Sequence, residues 1–442
     1  MIACFESIAL PHVICRGESE FQLPFEGLRL KGPYDMGQCP RRPDILFVFP
    51  DELKDHANKL FKALREGIGP FTGTQKFFGF ELSKERTSRV ASFSAPSVHV
   101  AKSVQKYDEA IKCHLAGMGK AKKPDIAIII HPRSERNQEY NPYLIAKYPL
   151  LAAGIPTQVV TSDLIDNENT FKWSVGNIAL QLFAKMGGVP WIIRTGLSED
   201  CIVVGINRAT VVSPNRRELD RHYGFASVFG RDGVYRETRL FPPAKGWNEY
   251  IAGFQRSIEE AINEWSKTSK KSVSLVLHVT KEIGREETGI LQRCLDAAGP
   301  ERVRDYAVLK LTSSENFLIF DHDNDETYTP PKGILVHLSD RRAILQTNGV
   351  VKESRTVGRG GCGDPWQIRL LQNSPESVPF SRLATVTLAL ASMNWRALNA
   401  QEAPISIRYP EMAAELLARF GAEGFDIAAL KDSPALKRVW FL

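Results

Sequence analysis

Between Tyr143 and Lys185, polar residues recur at helical spacing. Tyr143 and Lys147 are four apart in YNPYLIAKY, and Asn177, Gln181 and Lys185 follow at intervals of four in NIALQLFAK. On a helix an i, i+4 series stacks on one face, so each segment presents a donor-rich stripe against an apolar background. Gln158 lies between them in the strand-like run IPTQVV. Two ammonium groups, three amides and a phenol suit one task, gripping a compact and multiply charged anion such as a terminal phosphate. The set contains no nucleophile–base pair and no metal-ligand spacing. Its bland alternative is the solvated side of two amphipathic helices.

The elements that must position these residues alternate. DILFVFP (44–50), ASFSAPSVHV (91–100), DIAIIIHP (125–132) and IPTQVVTS (155–162) read as strands, and helices are expected near 51–67, 102–118, 139–153 and 171–187. Alternation of this kind implies an α/β fold with a doubly wound parallel sheet, whose ligands sit beyond the carboxyl ends of the strands. The loop after DIAIIIHP fits that position, and His131 at its start is a packing residue or a group at the site's mouth. The second half opens with consecutive short strands, CIVVGINRA (201–209), YGFASVFG (223–230) and VYRETRLF (234–241). A long helix, SVSLVLHVT (272–280), a helix near 286–298 and YAVLKLTSS (306–314) follow. FLIFDH, GILVHLS and RAILQTN are read as further strands. The pattern changes near 190–200, giving domains 1–195 and 196–442.

At 442 residues the chain is long enough for two such domains. No apolar run reaches membrane-spanning length, and Glu6 interrupts the apolar N-terminal stretch, so neither a membrane nor a secretory signal is expected. Seven scattered cysteines without a CxxC imply reduced thiols and a cytoplasmic setting, not a disulfide frame or zinc. The net charge of +6 permits nucleic-acid binding, which depends on local clusters. Such clusters are Lys102, Lys106, Lys112, Lys120, Lys122 and Lys123; Arg216, Arg217, Arg221 and His222; Arg341 and Arg342; Arg355 and Arg359. Each is a solvated surface or a backbone track along a duplex.

YxxxK, a Gln eleven residues on and NxxxQxxxK together resemble the guide 5′-phosphate pocket of the MID domain in prokaryotic Argonaute/Piwi proteins. GLRLKGPYD (27–35), DIAIIIHP, GVPWIIRT (188–195) and the terminal KRVWFL are similar to other family segments in the same order. The resemblance implies a Rossmann-like MID domain followed by an RNase H-like PIWI domain. It assigns Tyr143, Lys147, Gln158, Asn177, Gln181 and Lys185 to the guide phosphate. It also assigns a divalent cation such as Mg2+ to the α-carboxylate of Leu442. With GLRLKGPYD at residue 27, a short Argonaute of MID and PIWI alone is expected.

Slicing relatives hold two divalent ions with carboxylates on the first PIWI strand and at the end of a later one. The matching positions here read Gly205-Ile206-Asn207 and His278-Val279-Thr280, and a further one is aligned with Ser392-Met393-Asn394-Trp395. Asn207 and Thr280 supply no negative charge, so an inactive nuclease fold is expected. The alternative is a divergent metal-dependent nuclease rebuilt on Asp321, Asp323 or Asp325 in DHDNDE, a run that lacks the Gly and terminal Glu of an EF-hand. GRGGCGDP (358–365) lacks the order of a phosphate-binding P-loop. The resemblance further implies a guide RNA or DNA with a 5′-phosphate and a complementary single-stranded target, expected to be DNA. It also implies a heterodimeric effector protein with a PAZ-analogue region fused to a sirtuin-like, TIR or nuclease domain, acting in defence against phage or plasmids.

Overall fold

The computed structural model describes the chain except residues 1–3, 96–100, 120–121, 133–141, 212–220, 269–271, 314–316, 325–327, 350–362, 376 and 399–402, and except the side chains of 4, 101–103, 221 and 268. It divides into two compact units, neither of them one continuous stretch. The first comprises Ile14–Trp191, Trp395–Asn399 and Arg419–Leu442; the second comprises Met1–Val13, Ile192–Asn394 and Ala400–Ala418. A single cut between 195 and 196 lies near one crossing of the chain but misplaces both ends. The reason is burial. Val439, Trp440, Phe441 and Leu442 are all buried, and Ser433 Oγ donates to the Leu151 carbonyl at 2.7 Å. Tyr148 donates its hydroxyl to the Asp426 carbonyl at 2.8 Å and stacks on Phe425 at 4.4 Å. The apolar tail therefore completes the core of the first unit.

In that unit, β1 (Ile45–Val48), β2 (Thr87–Arg89), β3 (Ile126–His131) and β4 (Thr157–Thr161) form a sheet in the order β2-β1-β3-β4. Every neighbouring pair is parallel. Continuous apolar runs such as IAIII are buried on both faces, as helix-covered parallel strands require. The connecting helices are α1 (Lys54–Glu66), α2 (Ala101–Met118), α3 (Pro142–Ala152) and α4 (Glu168–Lys185). Strand β2 precedes the expected run 91–100: residues 91–95 are irregular and 96–100 lie outside the described residues. Ala146 and Leu150 of α3 pack with Tyr107 and Ile111 of α2 against Leu46, Val48, Ala127 and Ile129. Strand β4 is the sheet edge, so α3 and α4 meet around it rather than across a covered face.

The second unit contains β5 (Cys201–Val211), β6 (Arg221–Gly230), β7 (Tyr235–Leu240), α5 (Trp247–Thr268), β8 (Val273–Val279), α6 (Arg285–Ala298) and β9 (Val303–Ser313). Then come β10 (Ile334–Ser339), β11 (Arg342–Leu345), β12 (Trp366–Asn373), α7 (Phe380–Ala391) and α8 (Ile405–Ala422), the last crossing into the first unit at Arg419. The strand order, starting from the N-terminal strand Cys4–Ser7, continues β10-β11-β12-β9-β8-β5-β6-β7. Strands β5, β6 and β7 pair antiparallel, and β8 lies parallel to both β5 and β9. This is the order of an RNase H-like sheet. FLIFDH is not a strand: Phe317–Phe320 are irregular and exposed at three of four positions. A four-residue apolar run does not fix its own conformation. Both neighbours of β9 are already occupied, and the following loop closes on itself through Asp321 N to Tyr328 O at 3.0 Å and Tyr328 N to Asn324 O at 2.8 Å.

Gly205 in β5 allows the N-terminal turn of α8 to approach the sheet. A β-carbon there would overlap the Ser406 carbonyl oxygen and meet the Pro410 ring at 2.7 Å. We predict that Gly205→Ala destabilises the protein by about 1–3 kcal/mol through overpacking, read as a lower denaturation midpoint at unchanged m-value.

Candidate nucleic-acid interface

Three of the six polar residues converge at the amino end of β4. Lys185, in the last turn of α4, donates to the Thr157 carbonyl at 2.8 Å and to Gln158 Oε1 at 2.7 Å. Lys147, from α3 on the opposite side of the edge strand, is close enough to repel it. Lys147 is 1 % exposed and Lys185 is wholly buried, and the charges acting on Lys185 are those of Lys147 and Arg396. Burial first, and that repulsion second, hold the Lys185 ammonium well below the usual lysine range. Tyr143 is half-buried, its ring centroid 5.3 Å from Lys147 Nζ and 5.3 Å from Arg419 Cζ. A buried pair of like charges is costly unless an anion joins it. Chemically, the arrangement can neutralise a ligand of high negative charge.

Asn177 and Gln181 do something the spacing did not disclose. Asn177 Oδ1 accepts from Leu398 N at 2.9 Å, and Gln181 Nε2 donates to the Arg396 carbonyl at 2.9 Å. Both amides thus dock the 395–399 segment and so position Arg396. Arg396 and Arg419 are cations that sequence reasoning missed, because they come from segments more than two hundred residues after the helix they join. Leu442 is buried in the same unit, and among the described residues its carboxylate forms no ion pair. No group of three His, Cys, Asp or Glu among those residues could hold a metal.

The expected position beyond the carboxyl ends of the strands is corrected. Gln158 pairs in register with Ile128, whereas His131 pairs with Thr161 at the opposite end of β4. His131 is buried, with Nδ1 donating to the Pro132 carbonyl at 2.5 Å, and it stands apart from the lysine pair. Much of the loop after it lies outside the described residues.

The basic clusters divide. Lys106 pairs with Glu109, Lys112 with Asp108 and Lys122 with Asp44, at 2.7–2.8 Å, while Lys123 caps the Ala153 carbonyl. These charges are compensated locally. His222 is a core residue between Trp247 and Tyr250, and Arg341 is fixed on the Leu370 and Leu371 carbonyls. Lys120, Arg216, Arg217, Arg355, Arg359 and the side chains of Lys102 and Arg221 lie outside the described residues.

In the second unit Asn207, within β5, and Thr280, the residue after β8, meet. Thr280 Oγ1 donates to Asn207 Oδ1 at 2.6 Å, and the same oxygen accepts Arg208 N at 2.8 Å. Both residues are buried. His278 lies behind them, its Nδ1 2.6 Å from Ser406 Oγ, and burial pushes its pKa down to about 3. The nearby buried carboxylate is already saturated: Glu287 accepts from Arg208 at 3.0 Å, Tyr250 at 2.8 Å and Gly284 N at 2.6 Å. The segment Ser392–Trp395 supplies no carboxylate. The acid that sequence reasoning overlooked is Glu411 on α8. It interacts with Lys281 and Glu282, the residues after Thr280, and pairs with Arg408 at 3.5 Å. Asp321 and Asp323 belong to a self-bonded turn, Asp323 N to Asp321 Oδ1 at 3.1 Å, and Asp325 lies outside the described residues, as does most of 358–365.

A family model for the Piwi domain matches residues 125–421. This chain belongs to the Piwi family. The Piwi-family chain is 24% identical over 434 residues to the protein argonaute of Cereibacter sphaeroides, covering 91% of itself and 54% of that protein. It is 24% identical to the Piwi protein of Archaeoglobus fulgidus over 94% of this chain and 93% of that one. Its fold matches the structure of Clostridium butyricum Argonaute bound to a guide DNA and a 19-mer target DNA, with a TM-score of 0.71 over 99% of this chain and 55% of the other, at 15% identity. The chain thus spans about half the length of the first of these relatives. It is an Argonaute/Piwi homologue with an RNase H-like PIWI fold.

Lys185 sets a testable pH dependence. Its folded pKa lies below the unfolded value near 10.5, so between the two the unfolded chain binds more protons. Stability of the ligand-free protein is expected to rise with pH through that window, by at most about 1.4 kcal/mol per pH unit for one proton. Denaturation at a series of pH values should show this slope in wild type and its loss in Lys185→Met.

Proposed function

We propose that this protein binds the 5′-phosphate of a guide strand in the first unit and presents the guide for pairing with a complementary target, without cutting that target itself. The observation carrying the proposal is the buried Lys147–Lys185 pair, on which Arg396 also acts and with which, among the described residues, no carboxylate forms an ion pair. A terminal phosphate at neutral pH supplies close to two negative charges and several acceptor oxygens. Lys147 and Lys185 would neutralise it, Gln158 would orient it, and Tyr143 would stack on the first base. Asn177 and Gln181 act through the segment that carries Arg396. A divalent ion, when bound, would screen neighbouring guide phosphates against each other, with the Leu442 carboxylate as the protein ligand. The solved Clostridium butyricum relative, which holds guide and target DNA, supports the reading by analogy of fold.

The proposed lack of cleavage rests on the hydrogen-bonded Asn207–Thr280 dyad. Two-metal hydrolysis needs carboxylates that hold cations and an activated water. Here both positions are neutral and bonded to each other, and Glu287 is tied to Arg208 and Tyr250. Capture without cutting requires an output, for which we propose a separate effector protein with a PAZ-analogue region in prokaryotic defence.

Two predictions follow from these sites. Lys147→Ala with Lys185→Ala should abolish the preference for 5′-phosphorylated over 5′-hydroxyl oligonucleotides, measured as the ratio of the two dissociation constants. An unchanged ratio would sink the phosphate reading. Separately, Asn207→Asp should not restore Mg2+-dependent cleavage of a guide-matched target, because Thr280 still lacks a carboxylate. Vigorous cleavage by that single variant would contradict the account of the centre.

A further inference from the structure

The run Phe317–Phe320 has the composition of a strand and no sheet to join. Phe and Ile favour extended, paired backbone. Yet the run is irregular, and among the described residues no hydrogen bond holds its backbone. Its side chains are uncovered too. Phe317 is 40 % exposed, Leu318 54 %, Phe320 61 %, and Tyr328 across the following turn 51 %. These four are half of the eight large apolar side chains exposed among the described residues, so the exposure is concentrated, as at an interaction surface. The turn behind them is fixed. Asp321 N donates to the Tyr328 carbonyl at 3.0 Å, Asn324 Nδ2 donates to the Thr329 carbonyl at 3.1 Å, and Thr329 and Pro330 are buried. Tyr328 holds a φ of +52°, a left-handed conformation that is costly for a non-glycine residue. The apolar run is therefore presented from an anchored base.

Charge narrows what covers it. Asp321 and Asp323 follow the run, and among the described residues neither forms an ion pair. Phosphate and anionic membranes are repelled by this end, whereas a chain of net charge +6 is attracted to it. A second copy of the chain also fits the backbone. Antiparallel pairing of the run with itself, about a twofold axis between Leu318 and Ile319, sets Phe317 opposite Phe320 and Leu318 opposite Ile319. A slip of one residue would set Phe317 against Asp321. In the apolar register the carboxylates of the two copies stand at opposite ends of the pair and do not oppose each other. With a full aromatic side chain near 200 Å², the four exposed residues offer about 400 Å² per copy. The sum, about 800 Å², belongs to the weak and transient class of interface. We propose that Phe317–Phe320 is a dimerisation strand through which two copies of the chain pair antiparallel. Each copy supplies the edge that the other's run lacks within its own sheet. Bound nucleic acid plays no part in the contact.

The test is sedimentation equilibrium of the full chain without nucleic acid, from about 1 to 200 µM. Wild type should show a monomer–dimer equilibrium with a dissociation constant on the order of 10–100 µM. Leu318→Asp/Phe320→Asp should raise that constant at least about tenfold. The variant should melt at the wild-type temperature, because both side chains are exposed in the single chain. Register is read by cross-linking under mild oxidation, with wild type as the control for the native thiols. Phe317→Cys/Phe320→Cys should give covalent dimers, since directly opposite β-carbons stand about 4.5–5.5 Å apart. Neither single cysteine variant should do so, because residue 317 of one copy meets residue 320 of the other. A chain monomeric at every concentration, a dimer unaffected by the aspartates, or cross-linking by a single variant would overturn the pairing. A monomer that floats with phosphatidylcholine vesicles, and stops doing so in the aspartate variant, would give the run to lipid and overturn it as well. With no guide present, none of these outcomes bears on the phosphate site.

Discussion

Two ammonium groups buried side by side constrain everything around them. Lys147 and Lys185 come from helices on opposite faces of a parallel sheet, and they can approach each other only because β4 is the edge strand. The sheet order is thus a condition of the site, since one more strand beyond β4 would separate α3 from α4. The C-terminal tail belongs to the same unit. Its buried Val439–Leu442 run and the Ser433–Leu151 bond add to the core of the unit that holds the lysines.

The Asn207–Thr280 pair shows the opposite solution. A cluster of carboxylates at the ends of adjacent strands would repel itself unless cations filled it. A neutral amide and a hydroxyl bond to each other instead and need no ion to be stable. Glu287 is likewise stable without metal, because Arg208 neutralises it and Tyr250 and Gly284 donate to it. One end of this sheet is therefore self-sufficient, while in the other unit Lys185 is held against the like charges of Lys147 and Arg396.

Much of this was legible in the sequence. The alternation of strands and helices located β1, β3, β4 and the helices around them, because each run carries its own period. The meeting of Lys147, Gln158 and Lys185 fits what the family resemblance implied, whereas their types and spacing alone fitted a solvated helix face equally well. The roles of Asn177 and Gln181 were not legible, because a polar stripe does not reveal whether its partner is a ligand or another stretch of backbone. Arg396 and Arg419 were invisible for the same reason that the domain boundary was misplaced: they belong to segments returned to the first unit by tertiary packing. FLIFDH failed differently. Its apolar composition fits a strand, but β9 already has two neighbours, and a sheet position depends on an available edge that no local pattern encodes.

The buried lysine pair keeps like charges closer than folding stability favours, and among the described residues no carboxylate forms an ion pair with either lysine. Sequences are generally consistent across levels, and local violations concentrate where function demands them. Lys147 and Lys185 are desolvated, so an anion binding them would gain from a low local dielectric and would be selected for charge density. Such a preference is for charge alone, so a strand held there by its terminal phosphate would leave its bases to be read by pairing.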